Sequence, residues 1–200
     1  MKSRPMIFSA PMVRAILAGQ KTQTRRVFKD ANKFETDCEP VLYGDFWRIY
    51  DSWGDGVKDL KCPYGVVGDR LWVREGYAVV PRTAFARSDV FQKVSEFDRE
   101  KAFVYRACFD RSKGDIAWET PLFMPRAASR IELEITNIRV ERVQDISEAD
   151  AIAEGVEQGY GLRHVGFYQD IWDSINGKKH PWSDNPWVWV VEFKRVEVSA

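Results

Sequence analysis

Between Gly19 and Arg26 the chain reads Gly-Gln-Lys-Thr-Gln-Thr-Arg-Arg, packing three cations and two hydroxyls into the six residues from Lys21 onward. Two chemistries fit those residue types. Lys21, Arg25 and Arg26 would hold an anionic, phosphate-bearing partner through contacts that weaken as salt rises. Alternatively, Lys21 and Thr24 would act together on a carbonyl, a neutral lysine taking the hydroxyl proton so that the oxygen attacks. A lysine works as a base near neutral pH only if its pKa is drawn down to about 7–8, which burial or the adjacent Arg25 or Arg26 would supply. Gly19 leaves the backbone free to turn just before the cluster. The plainer reading of the same residues is a solvated basic edge.

Positioning this octet requires an element on each side. Residues 6–8 read as an opening strand. Pro11 and Gly19 bound a short helix whose Met12, Val13, Ile16 and Leu17 share a face. Residues 21–28 are suited to an extended segment. Residues 29–68 carry Pro40, Gly44, Gly54, Gly56, Pro63, Gly65 and Gly68 with weak periodicity, which predicts a long loop with one short strand near 46–50. Gly68-Asp69 then turns the chain into a strand over 70–79, and another strand follows at 103–109. From Ser129, Ile131, Leu133 and Ile135 alternate with Arg130, Glu132 and Glu134, the period of a half-buried strand. Ile138 and Val140 continue at the other parity, so a turn or bulge belongs near Asn137. Ser147-Glu148-Ala149-Asp150 has the form of a capping box and opens a helix bounded by Gly155 and Gly159. A second helix over 167–175 would share a face among Phe167, Ile171, Trp172 and Ile175. The last strand, 187–196, is apolar on both faces early on and should be central.

The carboxylates offer three further roles. Glu154, near the end of the capped helix in an acidic segment, reads on its own as a solvated glutamate. Glu75 shares the parity of Leu71 and Val73, so it would point inward and pair with Lys21 or Arg26. Asp145, Glu148 and Asp150 are close in sequence, as metal-dependent nuclease chemistry would require, although the capping box accounts for Asp150. Phe46, Trp47, Tyr50 and Trp53 would either stack on unpaired bases or pack internally.

Composition excludes more than it selects. The 200 residues are 44% hydrophobic and 30% charged with a net charge of +0, so bulk charge names no partner. Charge is unevenly spread, since residues 1–29 carry seven Lys/Arg and no acid, while residues 132–157 carry eight acids. Cys38, Cys62 and Cys108 are widely spaced, and His164 and His180 stand apart, which argues against a disulfide framework and a structural metal site. No run is long and apolar enough for a membrane span, and Pro11 and Arg14 break up any signal-like core. These features predict a soluble, cytoplasmic protein with no cofactor, and they leave its oligomeric state open.

Four segments together resemble the ASCH domains, which share a fold with the PUA RNA-binding modules. They are Gly19-x-Lys21-Thr22-x-Thr24-x-Arg26 after a helix, Gly68-Asp69-Arg70-Leu71-Trp72-Val73, the stretch from Ile131 through Ile146-Ser147-Glu148 to Glu154, and Trp189-Val190-Val191-Glu192-Phe193-Lys194. Cys62-Pro63-Tyr64-Gly65 and Trp172-Asp173-Ser174-Ile175-Asn176 are similar to the longer form encoded by bacteriophages and prophages. The resemblance implies an α+β fold: one domain over 1–200, a PUA-like mixed β-barrel with a few short helices. Loop-rich insertions fall at about 27–67 and 80–128. Small ASCH enzymes remove the acyl group from N4-acetylcytidine with a lysine, a threonine and a glutamate, and Lys21, Thr24 and Glu154 match those positions. The resemblance implies that Glu154 donates a proton to the leaving nitrogen or holds the exocyclic group, with Glu75 the alternative carboxylate. Gly19, Thr22, Arg25, Arg26 and Arg74 would then contact a nucleoside, nucleotide or single-stranded nucleic acid. A binding module without turnover and a ribonuclease are the other activities the resemblance implies.

Overall fold

The computed structural model describes residues 1–28, 40–44, 46–50, 56–85, 90–109, 116–156 and 163–196. In chain order its elements are β1 (Ser3–Ile7), α1 (Ala10–Leu17), β2 (Gln23–Val27), β3 (Val41–Tyr43), β4 (Phe46–Tyr50), β5 (Gly56–Leu60), β6 (Arg70–Arg74) and β7 (Tyr77–Pro81). Then come β8 (Lys93–Val94), β9 (Lys101–Tyr105), β10 (Glu132–Arg142), α2 (Glu148–Ala153), α3 (His164–Asn176) and β11 (Trp187–Val196). They divide between two compact units, Met1–Gly19 with Arg70–Glu134 and Arg195–Ala200, and Gln20–Asp69 with Ile135–Lys194. Trp53, Cys38 and Gly159, singled out in the sequence, lie outside the described residues.

In the first unit β1 runs parallel to β6, Ser3 against Arg70 through Ile7 against Arg74, and β6 pairs antiparallel with the start of β10, Trp72 against Glu132. Alternation sends Met6, Leu71, Val73 and Leu133 into the core. Pro11 suits the first turn of α1, which buries Val13, Ala15 and Ile16, while Leu17, expected on that face, is exposed. The single strand expected over 70–79 is two strands. It breaks at Glu75 and Gly76, and β7 joins a separate sheet in the order β7-β9-β8. The strand expected over 103–109 likewise stops at Tyr105, where a 3₁₀ turn takes over through Arg106–Cys108.

In the second unit the order is β10-β11-β2, so β11 is central, as its two apolar faces require. β11 pairs antiparallel with β2, Val188 against Val27 through Glu192 against Gln23. β10 shifts phase inside one continuous strand: Ile135 is buried, Thr136 and Asn137 are both exposed, and Ile138 is buried again. The Asn137 Oδ1 accepts the Ile138 N–H at 2.9 Å, the kind of local side-chain bond that competes with ladder pairing. The segment expected as a loop with one strand is a three-stranded antiparallel sheet, β3-β4-β5, with Gly44 at φ 61° directly after β3. Trp47 of β4 packs edge-on against Trp189 of β11, ring centroids 4.9 Å apart.

Helices α2 and α3 cover β11 through Val143, Ala151, Tyr168, Trp172, Val188 and Val190. The buried face of α3 is therefore Tyr168 and Trp172. Ile171 and Ile175, expected beside Trp172, are exposed. Among the described residues the strands form open sheets and no barrel closes; β7 lies in a sheet separate from that of β6. The fold is mixed α+β with few helices.

The capping box of α2 is complete: Ser147 Oγ accepts the Asp150 N–H at 3.0 Å, and Asp150 Oδ2 accepts the Ser147 N–H at 3.3 Å. Ser147→Ala should lower the unfolding free energy by about 1 kcal/mol, read as an earlier urea midpoint with an unchanged m-value.

Candidate active site

Lys21 sits just ahead of β2 and forms an isolated antiparallel bridge with Glu154, the residue that caps the C-terminal end of α2. Gly155, at φ 81°, lets the chain leave the helix there. The Lys21 side chain folds onto that helix end. Its Nζ donates to Glu154 Oε2 at 2.6 Å and to the Glu154 backbone carbonyl at 2.9 Å. A lysine is well placed at a helix C-terminus, where the last carbonyls lack intrahelical donors. The side chains of the pair are 0% and 4% exposed.

Arg25 belongs to the same cluster. Its side chain is fully buried, Nη1 donates to Glu154 Oε1 at 3.2 Å, and Nε donates to Glu141 Oε1 at 3.0 Å. Nη2 makes a second contact with Glu141 and lies 3.5 Å from Asp150 Oδ2, and the Tyr168 ring centroid is 5.9 Å from the guanidinium carbon. Gln23 Nε2 donates to Asp150 Oδ1 at 3.0 Å and to its carbonyl at 2.9 Å. Gln23 and Arg25 thus point together toward α2, so Arg25, expected at a ligand surface, spends its guanidinium inward.

Burial draws the Lys21 ammonium below the ordinary lysine value of 10.5, with Arg26 and Arg25 adding to the fall and Glu154 opposing it. Burial would raise the Asp150 carboxyl, but hydrogen bonds from Ser147 and Gln23 and the charge of Arg25 outweigh it and bring it to about 2. Burial also pushes the Tyr168 phenol well above its usual value, and the negative charge of Glu154 adds to that.

Thr24 is buried opposite Val191 of β11 and alternates with Gln23 and Arg25, so its side chain takes the other face of β2. Arg26 has the parity of Thr24 and lies half-buried opposite Trp189. Thr22 uses its backbone: its N–H donates to the Ala153 carbonyl at 2.8 Å, and its carbonyl accepts the Phe193 N–H at 2.8 Å. The structure therefore joins Lys21, Arg25 and Glu154 and turns Thr24 and Arg26 away from Gln23 and Arg25.

Gly19, Arg74 and Glu75 belong to the first unit. Gly19 ends the α1 turn at φ 75°. Arg74 lies over Trp72, 4.6 Å from the ring centroid, and Nη1 donates to the Leu122 carbonyl at 2.9 Å. Glu75 does point inward, at 1% exposure, but Arg130 takes both of its oxygens, Nε to Oε1 at 2.8 Å and Nη2 to Oε2 at 3.0 Å. Burial raises the Glu75 carboxyl and Arg130 opposes the rise. The carboxylate that meets Lys21 is Glu154.

Glu141, Tyr168 and Arg130 were not picked out from the sequence as members of these clusters. Glu141 and Arg130 carried only the signal of a polar residue in an alternating strand, and Tyr168 that of a core aromatic. The three acids considered for a metal are engaged locally: Asp145 Oδ2 accepts the Arg142 N–H at 3.2 Å, Glu148 Oε2 accepts the His164 N–H at 2.8 Å, and Asp150 belongs to the Arg25 network. No group of three His, Cys, Asp or Glu suited to a metal occurs among the described residues. Of the loop aromatics, Trp47 is buried, and Phe46 and Tyr50 surround Tyr43, with the Tyr50 and Tyr43 hydroxyls 2.5 Å apart. A cleft of about 220 Å³ in the second unit, lined by Leu42, Trp47, Val66, Val67, Asn137 and Ile138 among others, shares no residue with the Lys21 cluster.

Comparison with protein-family models and with curated proteins finds no match for the chain. Among solved structures it is similar to the crystal structure of an ASCH domain from Lactobacillus crispatus JV V101, at 11% identity and a TM-score of 0.43, over 97% of this chain and 79% of that one.

Removing Glu154 strands the Lys21 charge in a buried site, whereas removing Lys21 leaves Glu154 paired with Arg25. Glu154→Gln should therefore cost about 3–5 kcal/mol, Lys21→Met clearly less, and the double variant less than the sum. Urea denaturation of the four proteins measures this coupling.

Proposed function

We propose that the chain is an ASCH-type amidohydrolase that removes the acyl group from N4-acylated cytidine. The observation that carries this reading is the contact of 2.6 Å between Lys21 and Glu154 in a site dry enough to lower the lysine's proton affinity. The four-segment resemblance to ASCH domains, including the longer phage-encoded form, supports it. In this scheme neutral Lys21 takes the proton of Thr24 Oγ1, and that oxygen attacks the acyl carbon. The C–N bond breaks as the exocyclic nitrogen receives a proton from the Lys21–Glu154 pair, and water releases the acyl group from Thr24. Lys21 stands before β2 begins, where strand alternation does not dictate its direction. Thr24→Ala therefore decides between the hydroxyl and a water as the attacking oxygen. The substrate would be a free nucleoside or nucleotide or a residue within single-stranded nucleic acid, with Thr22 and Arg26 as candidate contacts.

A second reading rests on the same burial. Lys21 and Glu154 are shut off from solvent, which favours a nucleic-acid-binding module in which the ion cluster only fastens α2 to β2. Incubation with N4-acetylcytidine separates the two. The first predicts cytidine release that disappears in Lys21→Ala, persists in Glu75→Gln, and rises with pH as Lys21 loses its proton. Release that survives in Lys21→Ala, or no turnover of any N4-acylcytidine by the folded protein, sinks the amidohydrolase and leaves the binding module. RNA affinity that falls with salt is that module's mark.

A further inference from the structure

Glu154 shares one carboxylate between two cations. Lys21 takes Oε2 at 2.6 Å and Arg25 takes Oε1 at 3.2 Å. The proton on Lys21 is held by whatever negative charge Arg25 leaves unclaimed. Arg25 is divided in turn, since its Nε and Nη2 are bound by Glu141 and its Nη2 lies 3.5 Å from Asp150. Those two acids are themselves shared: Arg139 donates through Nε to Glu141 Oε2 at 2.8 Å and through Nη2 to Asp150 Oδ1 at 2.7 Å. The charges acting on Lys21 are thus Glu154 from α2 and Arg25 and Arg26 from β2, with Tyr168 of α3 lying beside Glu154 and Arg25. Around the buried Lys21 and Arg25 these charges act more strongly on one another than they would at the surface.

We propose that Arg25 is a positioning residue that sets the proton affinity of Lys21: by claiming one oxygen of Glu154 it loosens that carboxylate's hold on the lysine proton, and Glu141 sets how far it does so. Arg25 touches no substrate in this scheme and acts entirely through Glu154. The proposal rests on Lys21 as the proton acceptor of the amidohydrolase reading and adds what keeps that proton removable.

The test is a direct titration of Lys21 by carbon and nitrogen NMR at Cε and Nζ, the signal being assigned by its loss in Lys21→Arg. Arg25→Gln removes a neighbouring cation and returns Glu154 to Lys21 alone. Both changes act in the same direction, and the titration should move up by roughly one pH unit or more. Glu141→Gln does the reverse, because Arg25, left with Asp150 as its other acid, turns more of its charge on Glu154 and Lys21, and the titration should move down. Unfolding exposes Lys21 and can only carry it up toward the ordinary lysine value, so the two opposed shifts cannot come from loss of structure. An Arg25→Gln titration that stays or falls, or a Glu141→Gln titration that stays or rises, overturns the proposal. The titration is read without turnover, so failure of the amidohydrolase reading in the cytidine assay is a separate result.

Discussion

The second unit is organised around the need to compensate cations that have lost their water. Lys21 and Arg25 reach the interior with no side-chain exposure, and a buried charge is tolerated only when it is paired and hydrogen-bonded. That requirement dictates where α2 must end, since Glu154 has to present both its carboxylate and its carbonyl to one ammonium. It also explains the acidic stretch from β10 into α2, whose Glu141, Asp150 and Glu154 all face the Arg25 guanidinium. The acid-free N-terminal segment and the acid-rich later one are partners in this cluster, at least through Lys21 and Arg25. A chain with a net charge of +0 thus holds a dense, locally balanced network.

β2 divides the octet by alternation. Gln23 and Arg25 join the charge network under α2 and α3, whereas Thr24 and Arg26 face the side that carries Trp189. Chemistry that needs Lys21 and Thr24 together must therefore use the irregular step at Lys21-Thr22, where the backbone is held by Ala153 and Phe193 rather than by a continuous ladder. The glutamate of the first unit is held elsewhere: Glu75, with both oxygens bound to Arg130, serves as the counter-ion that makes a charged strand end compatible with a core of Tyr77, Phe103, Tyr105 and Met124.

The features legible in the sequence are those with a local signature. The Ser147–Asp150 capping box, the centrality of β11 and the phase change at Asn137 can all be read from neighbours a few residues apart, because caps and strand periods are local physics. The sheet β3-β5 was hidden because the signal there was confined to a few aromatics among glycines and prolines, with no sustained alternation. The break after Arg74 was hidden because Leu71, Val73 and Glu75 keep a perfect strand parity. At the break the Glu75 carboxylate is held by Arg130, 55 residues away, a partner that no local pattern announces. The Lys21–Glu154 pair was expected from a family resemblance, and no spacing rule would have joined residues 133 apart. The third partner, Arg25, reads in the sequence as a contact for phosphate, whereas its place in β2 turns the guanidinium inward with Gln23.

The sealed position of Lys21 bears on how its reactivity is to be understood. An amine this deeply enclosed meets an acylating reagent only when the structure around it opens. Its modification rate therefore counts those local openings, however nucleophilic the nitrogen is when exposed. Lys21 is in that sense a clock for local breathing, and exposed lysines such as Lys2 or Lys101 react without waiting for it.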